Sequence, residues 1–270
     1  MDWQIDHVVV AGRDLDSLQR SFAEAGLDAP YGGEHANGVT HNCILGFPDG
    51  SYFELIGKLG DGEPPWWTRQ IEGDAGPTAW ALVVDDIEAA AAELADRGVT
   101  VEEPNRHGRE RPDGTPIEWE MAIVGEELGT SLPFLIQDRT PRTDRVYPTG
   151  EPADIGVEGV SELVLAVSDL EASVDRFRAF FDAAEPTVRE RTFFGAEAAR
   201  FDGAPVTLLR ASDDETLSER VDSYGDCLTA LFFETTNDAD LATTSTEEWF
   251  DRSVSLLDVD VDGWYGALNP

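Results

Sequence analysis

The chain has 270 residues, enough for one large domain or two ordinary ones, and 41% of them are apolar, enough for a real core. Its charge is the outlier: 55 acidic against 19 basic residues give a net −36, spread along the chain, with Lys58 as the only lysine. Such a surface repels nucleic acid and anionic membranes and destabilises the fold by self-repulsion at low salt, and its lysine-poor, aspartate-rich character is that expected of a halophilic protein.

Taken in order, Trp3 to Val10 reads as a strand of branched side chains with His7 at its centre. Asp14 then offers an N-cap, and Leu15, Leu18, Phe22 and Ala25 follow at helical spacing until Gly26 stops the helix. A short extended piece from Leu27 to Tyr31 leads into a loop holding Gly32, Gly33 and Gly38. Two apolar runs then flank Asp49-Gly50, a pair that suits a tight two-residue hairpin turn. On the second of these strands the alternation of faces puts Tyr52, Glu54 and Ile56 on one side and Phe53 and Leu55 on the other. A carboxylate in mid-strand either faces solvent or lies in a pocket with a partner, because an unpaired buried charge is too costly to keep.

The same β-α-β-β-β plan returns three times. Thr78 to Val84 is the next strand, Asp86 caps a helix ending at Gly98, Val99 to Glu102 is extended, and Ile117 to Val124 and Leu132 to Ile136 complete the second unit. In the third, Val160 to Val167 is a strand, Asp169 starts a helix through Phe181, and Phe201-Asp202-Gly203 repeats the turn of the hairpin. Landmarks recur at nearly constant displacement, 155 from Asp14 to Asp169 and 153 from Asp49 to Asp202, as duplicated supersecondary units require. A fourth unit reads as a strand from Cys227 to Glu234, an acidic helix near Asp238 to Ser253, and a last strand before Asp262-Gly263. The expected organisation is a first domain over 1–140, a linker over 141–154 rich in proline and glycine, and a degenerate second domain over 155–270.

Cys43 and Cys227 are too few and too far apart for a disulfide framework or zinc knuckle and read as small buried residues. With no charged-then-apolar opening and no run of 18 apolar residues, the expected location is the cytoplasm. The chain carries no Gly-x-Ser-x-Gly elbow, phosphate-cradling loop, dinucleotide fingerprint or His-Glu-x-x-His helix.

Ile5-Asp6-His7, Gly38-Val39-Thr40-His41-Asn42, Tyr52-Phe53-Glu54-Leu55-Ile56, Arg111-Pro112-Asp113-Gly114-Thr115 with Trp119, and Leu132-Pro133-Phe134 together make the first half resemble the vicinal oxygen chelate superfamily, and within it the glyoxalase-like domain group. The second half matches in rhythm only. The resemblance implies an α+β fold in which tandem βαβββ modules pair into curled sheets around a cavity, with helices outside. It also implies a divalent metal (Fe, Mn, Zn, Ni or Mg) held by a ligand on the first strand and a Glu on the last strand of each contributing module. His7 and Glu54 occupy those places in the first module, whereas Ala79 and Phe134 stand there in the second, so half of the ligand pattern is missing. In the third module the counterparts are Glu162 and Thr207, and no second metal site is expected.

His7, His41 and Glu54 are the candidate metal ligands, two imidazoles and a carboxylate being the facial set suited to Fe(II), although strand parity turns either His41 or Asn42 inward. His7 and Glu54 are also the candidate acid-base pair, with Glu120 as another base. Asn42, Tyr52, Trp67, Arg111 and Trp119 are the candidate ligand contacts. The loop from Gly60 to Pro77, with Trp66 and Trp67, reads equally as a cover over an opening or as a loop pinned by its indoles. Arg106, His107, Arg109 and Arg111 form the only basic cluster, set either to hold an anionic group or to pair with Glu102, Glu103 and Glu110. The function expected is a metal-dependent lyase, isomerase or dioxygenase-like activity on a small oxygenated molecule. The alternative is a binding or sequestering protein on the same scaffold, and in either case the partners are a small ligand and a second copy of the chain in a homodimer.

Overall fold

The computed structural model describes residues 3–125, 128–236, 239, 241–259 and 265–269. The first half runs β1 (Gln4–Ala11), α1 (Leu15–Glu24), β2 (Tyr31–His35), β3 (Thr40–Gly46), β4 (Tyr52–Lys58), α2 (Thr68–Glu72), β5 (Gly76–Val83), α3 (Ile87–Asp96), β6 (Asn105–Glu110), β7 (Pro116–Ala122), β8 (Phe134–Asp138) and α4 (Arg142–Val146). Its eight strands close into a barrel of order β1-β4-β3-β2-β6-β7-β8-β5, two βαβββ modules joined at two seams. At one seam β1 runs antiparallel to β5, and at the other β2 meets β6 through Glu34 opposite Glu110 and His35 opposite Arg109. The close approach at the second seam explains Gly33, whose φ is +125° and where a Cβ would lie 2.2 Å from the Glu110 carbonyl oxygen.

The helices form where capping and spacing predict. Asp14, Asp86 and Asp169 each accept a hydrogen bond from the backbone N–H three residues on, and the apolar stripes of α1 and α3 face the outside of the barrel. The hairpin between β3 and β4 forms through a wider turn than a two-residue loop. Gly50 N–H donates to the Phe47 carbonyl, Phe47 N–H donates to the Ser51 carbonyl, and of Asp49 and Gly50 only the glycine has a positive φ.

The second half runs β9 (Val157–Val167), α5 (Leu170–Phe181), β10 (Thr187–Arg189), β11 (Ala198–Arg200), β12 (Val206–Arg210), α6 (Glu215–Tyr224), β13 (Cys227–Thr235), β14 (Thr243–Trp249), β15 (Arg252–Leu257) and β16 (Tyr265–Asn269). Its eight strands lie in one sheet, β10-β11-β12-β9-β13-β16-β15-β14, whose ends do not pair among the described residues. The acidic helix expected across 238–253 is replaced by strands β14 and β15, and the final strand follows Asp262-Gly263 instead of preceding it. Thr243, Thr244 and Thr246 are β-branched and suit the sheet better than a helix interior. Residues 237, 238, 240 and 260–264 lie outside the described residues.

One apolar core spans both halves. Phe53 and Phe47 pack edge-on against Phe233, and Trp3 packs on Phe180, with ring centroids 6.3, 5.7 and 4.9 Å apart. Each fully buried ring of this kind contributes roughly 1.5–3 kcal/mol. Arg220, buried on α6, donates to the carbonyls of Ala75 and Pro77 as well as Leu228 and so ties the second half to the first. No helix among the described residues is long and apolar enough to cross a membrane.

Part of the stretch read as a linker packs on the barrel, while residues 149–152 are exposed. Arg145 and Val146 on α4 are fully buried, and Tyr147 Oη donates to the Phe47 carbonyl at 2.9 Å.

Candidate functional site

Inside the barrel lies a small cavity of about 50 Å³. Four neighbouring strands of the first module send polar side chains into it: His7 from β1, His35 from β2, Thr40 and Asn42 from β3, and Tyr52 and Glu54 from β4. The alternation along β4 explains the last, since Tyr52, Glu54 and Ile56 line the cavity while Phe53 and Leu55 enter the core. On β1 a bulge intervenes. Ile5 pairs with Leu82 and His7 with Ala81, leaving Asp6 as the extra residue, so that Asp6 and His7 are both buried on the site side.

Glu54 sits between two imidazoles. Its Oε2 lies 3.5 Å from His7 Nε2, its Oε1 lies 3.4 Å from His35 Nε2, and Asn42 Nδ2 donates to Oε1 at 2.7 Å. Burial alone would raise the carboxyl's pKa, but the hydrogen bond and charge of His35, the charge of His7 and the Asn42 donor together lower it to about 2. On the other side of His7, Nδ1 lies 2.6 Å from Asp6 Oδ1. Burial would likewise raise the Asp6 carboxyl, yet the guanidiniums of Arg145 and Arg142 hold it well below the usual carboxylate range. An ionised Asp6 can only accept, so His7 Nδ1 carries a proton and Nε2 is turned toward the cavity.

Beneath this pair, Arg145 makes a bidentate contact with Asp6, at 2.8 and 2.7 Å, and also binds Asp138 and the Tyr52 hydroxyl. Tyr52 in turn stacks on the His7 ring, with centroids 4.4 Å apart and planes inclined by 12°. The opposite wall comes from the second module and the loop before it, chiefly Trp66, Trp67, His107, Trp119, Met121 and Phe134. Five of the lining residues, His35, Trp66, His107, Arg109 and Trp119, also line a wider outer groove, which forms the mouth.

The sequence-based candidates thus divide. His7, Asn42, Tyr52, Glu54, Trp67 and Trp119 converge on one cavity. His41 does not: it lies on the other face of β3, against Tyr31, because the strand's parity turns Thr40 and Asn42 inward. His35 stands in the place expected of it. Arg111 is also elsewhere, donating to the carbonyls of Asp144 and Pro148 and so fastening α4 and the turn that follows it. Glu120 faces outward from β7 and is held ionised by hydrogen bonds from Arg139 and Arg106. Arg109 is buried, with its terminal nitrogens on the carbonyls of Gly32 and Arg145, and none of Glu102, Glu103 and Glu110 pairs with the basic cluster. The Trp67 ring lines the cavity and its Nε1 donates to the Leu128 carbonyl at 2.8 Å.

A model of the glyoxalase-like domain family matches residues 5–181, the span that contains every residue of this cavity. The chain belongs to the glyoxalase-like domain family. Its fold is that of the vicinal oxygen chelate superfamily, as the solved structures similar to it also show. A hypothetical protein from Staphylococcus aureus is 16% identical over 99% of both chains, with a TM-score of 0.66. A triple mutant of 4-hydroxymandelate synthase from Streptomyces coelicolor is 12% identical over 99% of this chain and 92% of that one, with a TM-score of 0.63. The 2,2',3-trihydroxybiphenyl 1,2-dioxygenase of Sphingomonas wittichii is 14% identical over 100% of this chain and 90% of that one, with a TM-score of 0.54. No protein of curated function matches. Within this glyoxalase-like chain, no group of three His, Cys, Asp or Glu side chains among the described residues is arranged to hold a metal ion.

Proposed function

We propose that the barrel cavity binds a small oxygenated molecule and that His7 exchanges a proton with it. The single observation that carries this reading is the buried line Asp6–His7–Glu54, with contacts of 2.6 and 3.5 Å. Asp6 fixes the tautomer of His7 and Glu54 lies where an imidazolium would be stabilised, the arrangement by which an imidazole becomes an oriented base. The longer contact matters too. At 3.5 Å, His7 Nε2 and Glu54 Oε2 are not locked by a short hydrogen bond, so a ligand atom can approach Nε2 from the cavity side. Trp66, Trp67 and Trp119 would keep bulk water from the reacting end.

A second reading rests on the donor types. His7, His35 and Glu54 supply the two imidazoles and one carboxylate that suit Fe(II) and similar ions. Their placement does not fit an ion, because the imidazoles bracket opposite oxygens of the carboxylate instead of converging on one point.

The test is exchange of hydroxyacetone C–H protons for deuterium in D2O, followed by NMR on the full chain in high salt, beside elemental analysis. The expected result is exchange that survives chelators and is lost in His7→Gln. A stoichiometric divalent metal, lost in Glu54→Gln together with the exchange, would replace this reading by the metal-dependent one. Binding of hydroxyacetone with no exchange would leave a sequestering protein.

A further inference from the structure

We infer that Tyr52 is the anchoring hydrogen-bond donor of the cavity, and that the ligand it serves is a flat, uncharged carbonyl compound; the inference rests on the proton-transfer reading above for the position of the base.

The hydroxyl's partners point to the donor role. Arg145 Nη1 lies 2.9 Å from Tyr52 Oη, and a guanidinium can only donate, so the phenol oxygen accepts and its own proton must point elsewhere. Among the described residues no acceptor takes that proton. The ring is stacked on His7, so the free donor and the base belong to one wall of the same cavity.

The charge of the site argues for a neutral ligand. Three carboxylates, Asp6, Glu54 and Asp138, stand against three guanidiniums, Arg109, Arg142 and Arg145, and all six are buried or partly so. Every N–H of Arg145 is committed: Nε to Asp138, Nη1 to Asp6 and Tyr52, and Nη2 to Asp6 and Asp138. The terminal nitrogens of Arg109 each donate to a backbone carbonyl. A ligand carboxylate would be desolvated beside the like-charged Glu54 carboxylate, which is costly. A carbonyl oxygen needs only one donor, and Tyr52 supplies it. The indoles of Trp66, Trp67 and Trp119 with the ring of Phe134 offer flat apolar faces to the rest of the molecule.

The step balances without an oxidant or reductant. A proton on the carbon next to the carbonyl passes to His7 Nε2, the C–H electron pair becomes the new C=C bond, and the carbonyl π pair moves onto the oxygen held by Tyr52. Reversal returns a proton from the solvent pool to the carbon.

Acetophenone, benzoate and ethylbenzene test this on the full chain in high salt, with binding followed by ligand-observed NMR and methyl exchange by loss of the acetophenone methyl signal in D2O. Acetophenone is expected to bind and exchange, and benzoate and ethylbenzene to bind at least several-fold more weakly. Tyr52→Phe keeps the ring stack and should weaken acetophenone binding about 3–10-fold, the worth of one hydrogen bond, while slowing exchange further. His7→Gln should abolish exchange. Benzoate binding as tightly as acetophenone, no binding of acetophenone, or unchanged binding and exchange in Tyr52→Phe would each overturn the inference. Tyr52-dependent binding with no exchange in the wild-type chain would uphold the anchor and sink the proton-transfer reading. The comparison of the three probes on the wild-type chain does not depend on any variant folding.

Discussion

The two halves share a module plan yet use the same positions in opposite ways. His7 and Glu54 of the barrel correspond, at displacements of 155 and 153, to Glu162 and Thr207 of the open sheet, and the register agrees: Val9 pairs with Glu54 as Val164 pairs with Thr207. In the barrel these positions face a cavity whose carboxylate touches imidazoles across gaps of 3.4 and 3.5 Å. In the second half the carboxylate has changed strand and is saturated, by the Thr207 hydroxyl, by Trp249 Nε1 at 3.1 Å and by Arg252. The space beside it is filled by Trp249, Phe232 and Phe194. A buried polar group with every partner in place makes a core; one whose partners stand slightly apart makes a site.

The sharpest way to break this comparison is to remove the groups on which each half depends. Arg145→Ala strips Asp6 and Asp138 of their buried partner and should cost about 3–5 kcal/mol in denaturant unfolding, with loss of ligand binding as well. Trp249→Ala should cost a similar 3–5 kcal/mol through the void it leaves, but leave ligand binding in the barrel intact.

A smaller effect separates the halves by pH. The Glu54 carboxyl falls from 4.5 to about 2 in the fold. Because the folded value is the lower one, the ionised group stabilises the fold fully above pH 4.5, by roughly 3 kcal/mol, and this is lost as pH falls toward 2. The stability difference between wild type and Glu54→Gln should therefore shrink across that window, as measured by denaturant titration at each pH. The smallest effect belongs to the surface: Arg210→Ala, which breaks exposed pairs with Glu171 and Glu197, should change stability by less than about 1 kcal/mol.

Much of this was legible in the sequence, and for identifiable reasons. Period-two alternation along Tyr52 to Ile56 marked the inward face, and the aspartate caps Asp14 and Asp169, displaced by 155, marked the repeat. What stayed hidden depends on contacts distant in the chain. His35 sits after Gly32-Gly33 in a segment that looks like a loop, and only its pairing with β3 and β6 makes it a strand with a cavity-facing side chain. Asp6 is adjacent to His7, but a bulge set by β5 was needed to bring both to the site. Arg145 lies in a stretch of proline and glycine and reaches Asp6 across 139 residues, a pairing that no local pattern encodes.

The most direct test sets the two halves against each other in one assay, deuterium exchange into hydroxyacetone by His7→Gln and by Glu162→Gln, each folded in high salt. His7→Gln should lose about 10²–10⁴-fold in exchange rate, the usual worth of a positioned acid or base, while Glu162→Gln keeps the wild-type rate. Equal loss in both variants, or undiminished exchange in His7→Gln, would contradict the assignment of chemistry to the barrel.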